Sequence, residues 1–182
     1  MIKDKRDNSI PKILILGVGN ILLKDEGVGV RVIEKLQRDY KFPSNVEIID
    51  GGTAGLGLFN LFEGIYHLII VDAIQGNDAP GSLYRFKFED ISANIPKKFS
   101  PHQIGILETL TVKKVLGKIP DTTIIAVQPM DCNHWGMELT PEIENKIPDV
   151  VNLVIDELKT LGLNVEEITP HLNPLPLGER EG

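Results

Sequence analysis

Residues 13–30 read ILILGVGNILLKDEGVGV, a segment that joins a buried strand to the start of a helix. The run Lys12–Val18 is short and densely apolar and ends among glycines, which is typical of a strand buried on both faces of a parallel sheet. After Asp25 the apolar residues take helical spacing, which predicts a helix that runs to about Asp39. A buried strand followed by an amphipathic helix is the first unit of an α/β fold.

The rest of the chain continues this alternation of strands and helices. Strands are predicted at residues 46–49, 66–71, 82–88 and 122–127, and helices at residues 56–62, 100–116 and 141–161. This order predicts a three-layer α/β/α fold, with a twisted, mostly parallel five-stranded sheet and helices on both faces. The segment 82–88 directly follows the turn residues Ala79-Pro80-Gly81 and is expected to be an antiparallel member of the sheet.

The length of 182 residues corresponds to one domain. We expect a polar N-terminal extension at residues 1–11, a single α/β catalytic domain at residues 12–165, and a disordered tail at residues 169–182. The tail has three prolines and two glycines in fourteen residues and no periodicity.

The composition excludes several classes of function. With 19 Lys and Arg against 26 Asp and Glu, the net charge is −7, which argues against a nucleic-acid partner or a polybasic membrane patch. The chain shows neither a secretory signal nor an apolar run of about 18 to 20 residues, so a cytoplasmic protein with no membrane partner is expected. One cysteine, Cys132, allows no intrachain disulfide.

Three titratable residues stand where a predicted strand ends or a predicted helix begins, namely Glu26, Asp72 and His102. Glu26 follows Asp25 at the start of a helix, where capping and the helix dipole need only one of the two carboxylates. Asp72 comes directly after a buried apolar strand, where an ionised carboxylate is costly unless it finds partners. His102 opens a helix, whose dipole favours the neutral imidazole that a metal ion requires.

Each of these residues also has an ordinary structural explanation, as a helix cap, a loop cap or a histidine bonded to a carbonyl. Their positions reinforce one another, because all three would lie along one edge of the sheet, where open α/β sheets bind ligands. No two of the four histidines have the spacing of a helical metal motif, so any metal site must come from distant segments. Two carboxylates and one imidazole suit a borderline divalent metal and leave an open position.

The glycines after the first strand suggest a second type of site. Gly17 and Gly19 begin a pattern similar to a dinucleotide fingerprint, but that fingerprint needs a third glycine where this chain has Leu22. The following helix also begins too late to point at a pyrophosphate. The glycines are better explained by a sharp turn off a buried strand.

Four segments together resemble the [NiFe]-hydrogenase maturation endopeptidases. They are residues 13–30, 50–55 (DGGTAG), 68–73 (LIIVDA) and 100–105 (SPHQIG), and the resemblance keeps its order from about residue 12 to 165. A later step, Leu139-Thr140-Pro141, resembles the family's loop before its last helix.

This resemblance implies an enzyme that removes the C-terminal extension of a [NiFe]-hydrogenase large-subunit precursor after nickel insertion. The family's metal-contacting Glu, Asp and His fall on Glu26, Asp72 and His102, which would be both the metal-contacting and the catalytic residues. The resemblance also implies that the nickel is held by the precursor and that the enzyme itself is metal-free. Cys132 corresponds to no functional position of the family.

Two alternatives stay open. One is a self-contained metallohydrolase that binds its own zinc or nickel, and the other is a non-catalytic nucleotide-binding α/β module. Asp50 lies about where the ribose-binding acid of such a module would fall. Asp25 could orient Glu26 or His102, but we predict that it caps the helix.

Overall fold

The computed structural model describes residues 10–90, 101–117 and 119–168. Its strands are β1 Lys12–Val18, β2 Tyr40–Lys41, β3 Val46–Gly52, β4 Ile65–Ala73, β5 Leu83–Lys87, β6 Asp121–Val127 and β7 Glu166–Glu167. Its α-helices are α1 Val28–Asp39, α2 Pro101–Val115, α3 Pro141–Glu144 and α4 Ile147–Thr160. Short 3-10 helices lie at Lys24–Gly27, Gly55–Phe62 and Phe88–Asp90.

The central sheet has five strands in the order β3-β1-β4-β6-β5. β3, β1, β4 and β6 are parallel to one another, and β5 pairs antiparallel with β6 at the edge. The predicted mostly parallel five-stranded sheet is therefore confirmed, as is the antiparallel edge strand.

Alternate residues of β1 belong to two separate cores, one on each face of the sheet. Ile13 and Ile15 pack in the core that contains residues of α1 and α4. Leu14 and Leu16 pack in the core that contains residues of α2 and the 3-10 helix Gly55–Phe62. This alternation confirms the predicted three-layer α/β/α arrangement, since each face of the sheet needs its own apolar cover.

The last helix differs from the prediction. Instead of one helix over residues 141–161, the structure has α3 and α4, separated by Asn145 and Lys146. Pro148 lies in the first turn of α4. Because proline fits the first turn of a helix and has no N–H to donate to the carbonyl four residues earlier, Pro148 starts a new helix here.

Some of the predicted segments lie outside the residues that the structure describes. The N-terminal extension falls mostly on residues 1–9 and the tail falls on residues 169–182, both outside the described residues. Ser100, the first residue of the predicted helix 100–116, also lies outside them, and α2 begins at Pro101. The sequence patterns missed the two-residue antiparallel pair of β2 and β7. None of the helices in the described ranges has the length and apolar character needed to cross a membrane.

Glycine brings the first turn of α1 into contact with the ends of two strands. A Cβ atom on Gly29 would lie 2.2 Å from the carbonyl oxygen of Val71 and 2.3 Å from that of Val18. On the strand side, a Cβ on Gly17 would lie 2.4 Å from the carbonyl oxygen of Gly29. The absence of side chains at both positions therefore sets how closely α1 approaches the carboxyl ends of β1 and β4.

We expect Gly29→Ala to lower the free energy of unfolding by about 3 kcal/mol, because the added methyl group meets backbone atoms that cannot move aside. Urea denaturation measures the change. Gly57→Ala is the matched control, since a Cβ there would make an ordinary 3.7 Å contact with Ala54 Cβ. Equal stability of the two variants would contradict the close approach of α1 to the sheet.

Candidate active site

Asp72 lies at the carboxyl edge of the central sheet, as the sequence predicts. It is the next-to-last residue of β4 and pairs in register with Ala126 of β6. Its side chain is buried, and its Oδ1 accepts a hydrogen bond of 2.7 Å from the backbone N–H of Ala73. β4 therefore presents a carboxylate at the point where the sheet ends.

Glu26 reaches the same edge from the neighbouring strand. It lies in the 3-10 helix Lys24–Gly27, directly before α1, and is half-buried. Gly19, just after β1, has φ +138°, and a Cβ there would lie only 1.8 Å from the carbonyl oxygen of Glu26. The backbone of Glu26 therefore rests against the exit of β1, and the predicted role of Gly19 in a sharp turn is confirmed.

Cys132 links these carboxylates to a third segment of the chain. Burial of its thiol, followed by the negative charges of Glu26, Asp25, Asp72 and Asp131, raises the pKa of Cys132 to about 12. A carboxylate raises the pKa of a thiol in this way only when the two groups lie close together. Glu26, Asp72 and the segment around Cys132 thus share one acidic environment at the carboxyl edge.

His102 lies in the first turn of α2, but its side chain is outside what the structure describes. The structure therefore brings Glu26 and Asp72 to one edge and leaves the third predicted residue untested. In the part of the chain that is described, no group of three or more His, Cys, Asp or Glu side chains could hold a metal ion. Glu26 and Asp72 both interact with other groups of the protein.

Asp25 does not cap α1, contrary to the prediction. Its side chain is fully buried, and the N-cap position of α1 belongs to Gly27, with no side-chain cap bond. Instead Oδ2 of Asp25 accepts hydrogen bonds from the backbone N–H groups of Met130 (3.0 Å) and Asp131 (2.9 Å). Oδ1 accepts one from the N–H of Thr140 (2.7 Å), and the Thr140 hydroxyl donates to Oδ2 (3.0 Å).

These bonds close residues 130–140 into what we call the pinned loop. Because one carboxylate holds both ends of the loop, the ends cannot move apart while Asp25 stays buried. Further backbone bonds fasten its middle, where Lys24 N–H donates to Gly136 O and Gly136 N–H donates to Leu22 O. The segment 22–26 and the pinned loop are therefore joined along their length.

Lys24 contributes strain as well as contacts. It is the non-glycine residue with positive φ (46°) in the described ranges, a conformation that costs of order 1 kcal/mol. Its Nζ lies 2.7 Å from Asp131 Oδ2. Hydrogen bonds from Lys24 and then His134 hold the pKa of Asp131 well below its usual range, so this carboxylate stays ionised. The ion pair and the bond to Gly136 stabilise a backbone turn that sets the position of Glu26.

A second cluster of titratable groups lies at the opposite edge of the sheet. His67 has its Nδ1 3.0 Å from Asp121 Oδ2 and its Nε2 3.2 Å from Glu157 Oε1. Arg85 and Lys87 also contact this cluster, through Glu157 and Asp121 respectively. Burial lowers the pKa of His67, which favours its neutral form. The carboxylates of this cluster are paired with nearby cations. No buried side-chain N or O atom among the described residues lacks a hydrogen-bond partner. We therefore interpret the cluster as a structural network.

The positioning groups of the site were not predicted from the sequence. Lys24 and Thr140 contact Asp25 or its loop, yet they are more than 100 residues apart in sequence. One signal was available, since Asp131 accepts the N–H groups of Asn133 and His134 (3.1 and 3.2 Å), an Asx turn that aspartate followed by polar residues favours.

Comparisons with known proteins point to one family. A family model described as hydrogenase maturation protease, HycI, matches residues 30–157. The hydrogenase 2 maturation protease of Escherichia coli is 41% identical over 155 residues, which are 84% of this chain and 93% of that protein. The hydrogenase expression/formation protein HupD of Bradyrhizobium diazoefficiens is 38% identical over 172 residues, 93% of this chain and 87% of that protein.

A solved structure agrees with this result. The hydrogenase maturating endopeptidase HybD from E. coli superposes with a TM-score of 0.80 at 39% sequence identity, over 86% of this chain and 97% of that one.

We expect Asp25→Ala to destabilise the protein by about 3 kcal/mol, because it leaves three partly buried N–H groups and the Thr140 hydroxyl without their acceptor. Urea denaturation measures the loss, and limited proteolysis should show faster cutting within residues 130–140. Asp156→Ala is the matched control, because it removes only an exposed pair with Lys159 and should change stability by less than about 0.5 kcal/mol. If Asp25→Ala unfolds like the control, Asp25 does not hold the loop.

Proposed function

The chain belongs to the hydrogenase maturation protease family and is an endopeptidase, and on that premise we propose that it removes the C-terminal extension of a nickel-loaded [NiFe]-hydrogenase large-subunit precursor. This membership contradicts the alternative of a non-catalytic nucleotide-binding module. Nickel enters the proposal as cargo of the precursor. The observation that carries the proposal is the shared acidic environment of Glu26 and Asp72 at the carboxyl edge of the sheet.

The chemistry of the predicted site residues fits recognition of a bound metal ion. Carboxylate oxygens and a neutral imidazole are suitable ligands for a borderline divalent ion such as nickel. Negative charge from Glu26 and Asp72 favours a cation at the sheet edge, whereas the charge of Asp131 is paired with Lys24. We propose that Glu26, Asp72 and His102 contact the nickel of the precursor, so that only a loaded precursor is held correctly.

Contact with the nickel would also place the bond that is cut. A scissile peptide close to the metal centre of the precursor is then held against the carboxylates, and correct placement alone can lower a barrier by several kcal/mol. One of these carboxylates accepts a proton from water while the water oxygen attacks the peptide carbonyl. The C–N bond then breaks, and the leaving amine takes up a proton to release the extension.

Asp25 supports this arrangement without touching the precursor. It holds the segment that carries Glu26 against the pinned loop, through the four hydrogen bonds described above. A group that must contact a metal and a water at once has little tolerance for displacement. Asp25 is therefore a positioning residue.

We expect Glu26→Gln, Asp72→Asn and His102→Ala each to lower cleavage of nickel-loaded precursor by about 100-fold or more, because each removes a metal contact or the base. Cleavage is followed by the mobility shift of the processed large subunit. Asp156→Asn is the control, since Asp156 is an exposed carboxylate paired with Lys159 on α4. Full activity in all three variants, with melting temperatures like that of the wild type, would overturn the assignment of the site.

The source of the metal is tested separately. Metal-free enzyme should cleave nickel-loaded precursor and leave nickel-free precursor intact, and the purified enzyme should contain less than stoichiometric zinc or nickel. Stoichiometric metal in the enzyme, with cleavage of short peptides alone, would support the self-contained metallohydrolase instead.

A further inference from the structure

The pinned loop displays large apolar side chains to solvent. Trp135 is 78% exposed, Met130 is 60% exposed and Met137 is 57% exposed. Exposed apolar residues scattered singly need no explanation, but three within eight residues form one surface. Tryptophan and methionine are also among the residues enriched at protein–protein interfaces.

The backbone beneath these side chains is held in place. Asp25 fixes both ends of the loop, and the pair of bonds between Gly136 and the segment 22–24 fixes its middle. Leu22 in that segment is also exposed (44%) and extends the apolar surface. A surface displayed on a fixed backbone loses little conformational entropy when a partner binds, so more of the contact energy appears as affinity.

The apolar surface is continuous with the catalytic edge. The loop is hydrogen-bonded to the segment that carries Glu26, since Lys24 N–H donates to Gly136 O and Asp25 Oδ2 accepts the N–H groups of Met130 and Asp131. A partner that binds at Glu26 therefore has the loop beside it. This continuity favours the protein substrate as occupant over an unrelated partner.

An acidic groove next to the loop indicates the chemistry of the occupant. The groove has a volume of about 570 Å³, and its lining includes Met137, Glu138 and Glu144. Its one lining cation among the described residues, Arg31, is already paired with Glu34 and donates to the carbonyl oxygen of Met137 (2.8 Å). A partner with a lysine or arginine beside its apolar residues complements this groove.

We propose that Met130, Trp135 and Met137 form the docking surface for the hydrogenase precursor, which covers them with apolar side chains and places a basic residue in the adjacent groove. This inference rests on the proposed function and names the part of the enzyme that binds the body of its substrate. Nickel contact at the sheet edge and docking on the loop are then two separate parts of recognition.

The test separates binding from cleavage. For Trp135→Ala and Met137→Ala, KM for nickel-loaded precursor should rise about tenfold or more, which is typical for loss of a central interface residue, while kcat changes less than about twofold. Binding is measured directly in a Glu26→Gln background, where the precursor is consumed about 100-fold more slowly, and Kd should rise by the same factor relative to Glu26→Gln alone. Tyr66→Ala is the matched control, because Tyr66 is 62% exposed at the start of β4, at the other end of the sheet.

A separate double variant tests the role of the acidic groove. Replacement of both Glu138 and Glu144 by Gln should raise KM about threefold or more at low ionic strength, and the difference should shrink at high salt. An unchanged KM for this double variant would overturn the assignment of a basic residue to the groove.

The remaining outcomes discriminate between explanations. If wild-type enzyme cleaves the precursor and the loop variants keep wild-type KM and Kd, the docking surface is overturned while the proposed function stands. If the loop variants change only self-association, measured by sedimentation, the surface belongs to a second copy of the chain. If wild-type enzyme does not cleave the precursor, the proposed function fails, and the Kd values alone decide whether the loop binds it.

Discussion

The buried carboxylate of Asp25 is the interaction on which the candidate site depends. A fully buried ionised group is costly unless several donors surround it, and Asp25 has three backbone N–H groups and one hydroxyl. Those donors come from the two ends of the pinned loop, so one buried charge determines the path of eleven residues. Because Glu26 is the next residue along the chain, the same bonds determine where its carboxylate lies.

The other requirement is close backbone approach at the carboxyl edge of the sheet. Gly17 and Gly29 let α1 lie directly on the ends of β1 and β4, and Gly19 leaves room for the carbonyl of Glu26. The glycines that suggested a nucleotide fingerprint are thus accounted for by packing. They bring the chain segment of Glu26 to the edge where Asp72 lies near the end of β4. The proposed catalytic and docking groups then lie next to one another, since the pinned loop is bonded to the same segment.

Local sequence patterns were sufficient for most of the fold. Dense apolar runs predicted three of the five strands of the sheet as buried, because strands covered on both faces have no polar side. The alternation in residues 82–88 predicted the antiparallel edge strand. Periodicity alone predicted one continuous helix over residues 141–161. This prediction was wrong, because a new helix starts at Ile147, with Pro148 in its first turn. β2 and β7 were missed, since a two-residue pair leaves no period to detect.

Residue types and their positions relative to strand ends were enough to place Glu26 and Asp72 at one edge of a parallel sheet. That inference needs only the rule that parallel strands end on the same side. The role of Asp25 could not be obtained in this way, because an acid before a helix has the same local signature whether it caps the helix or turns inward. Its partners Met130 and Thr140 are more than 100 residues away. Only the folded chain brings those N–H groups to the carboxylate, and the free energy of burying a charge then selects the one conformation that satisfies it.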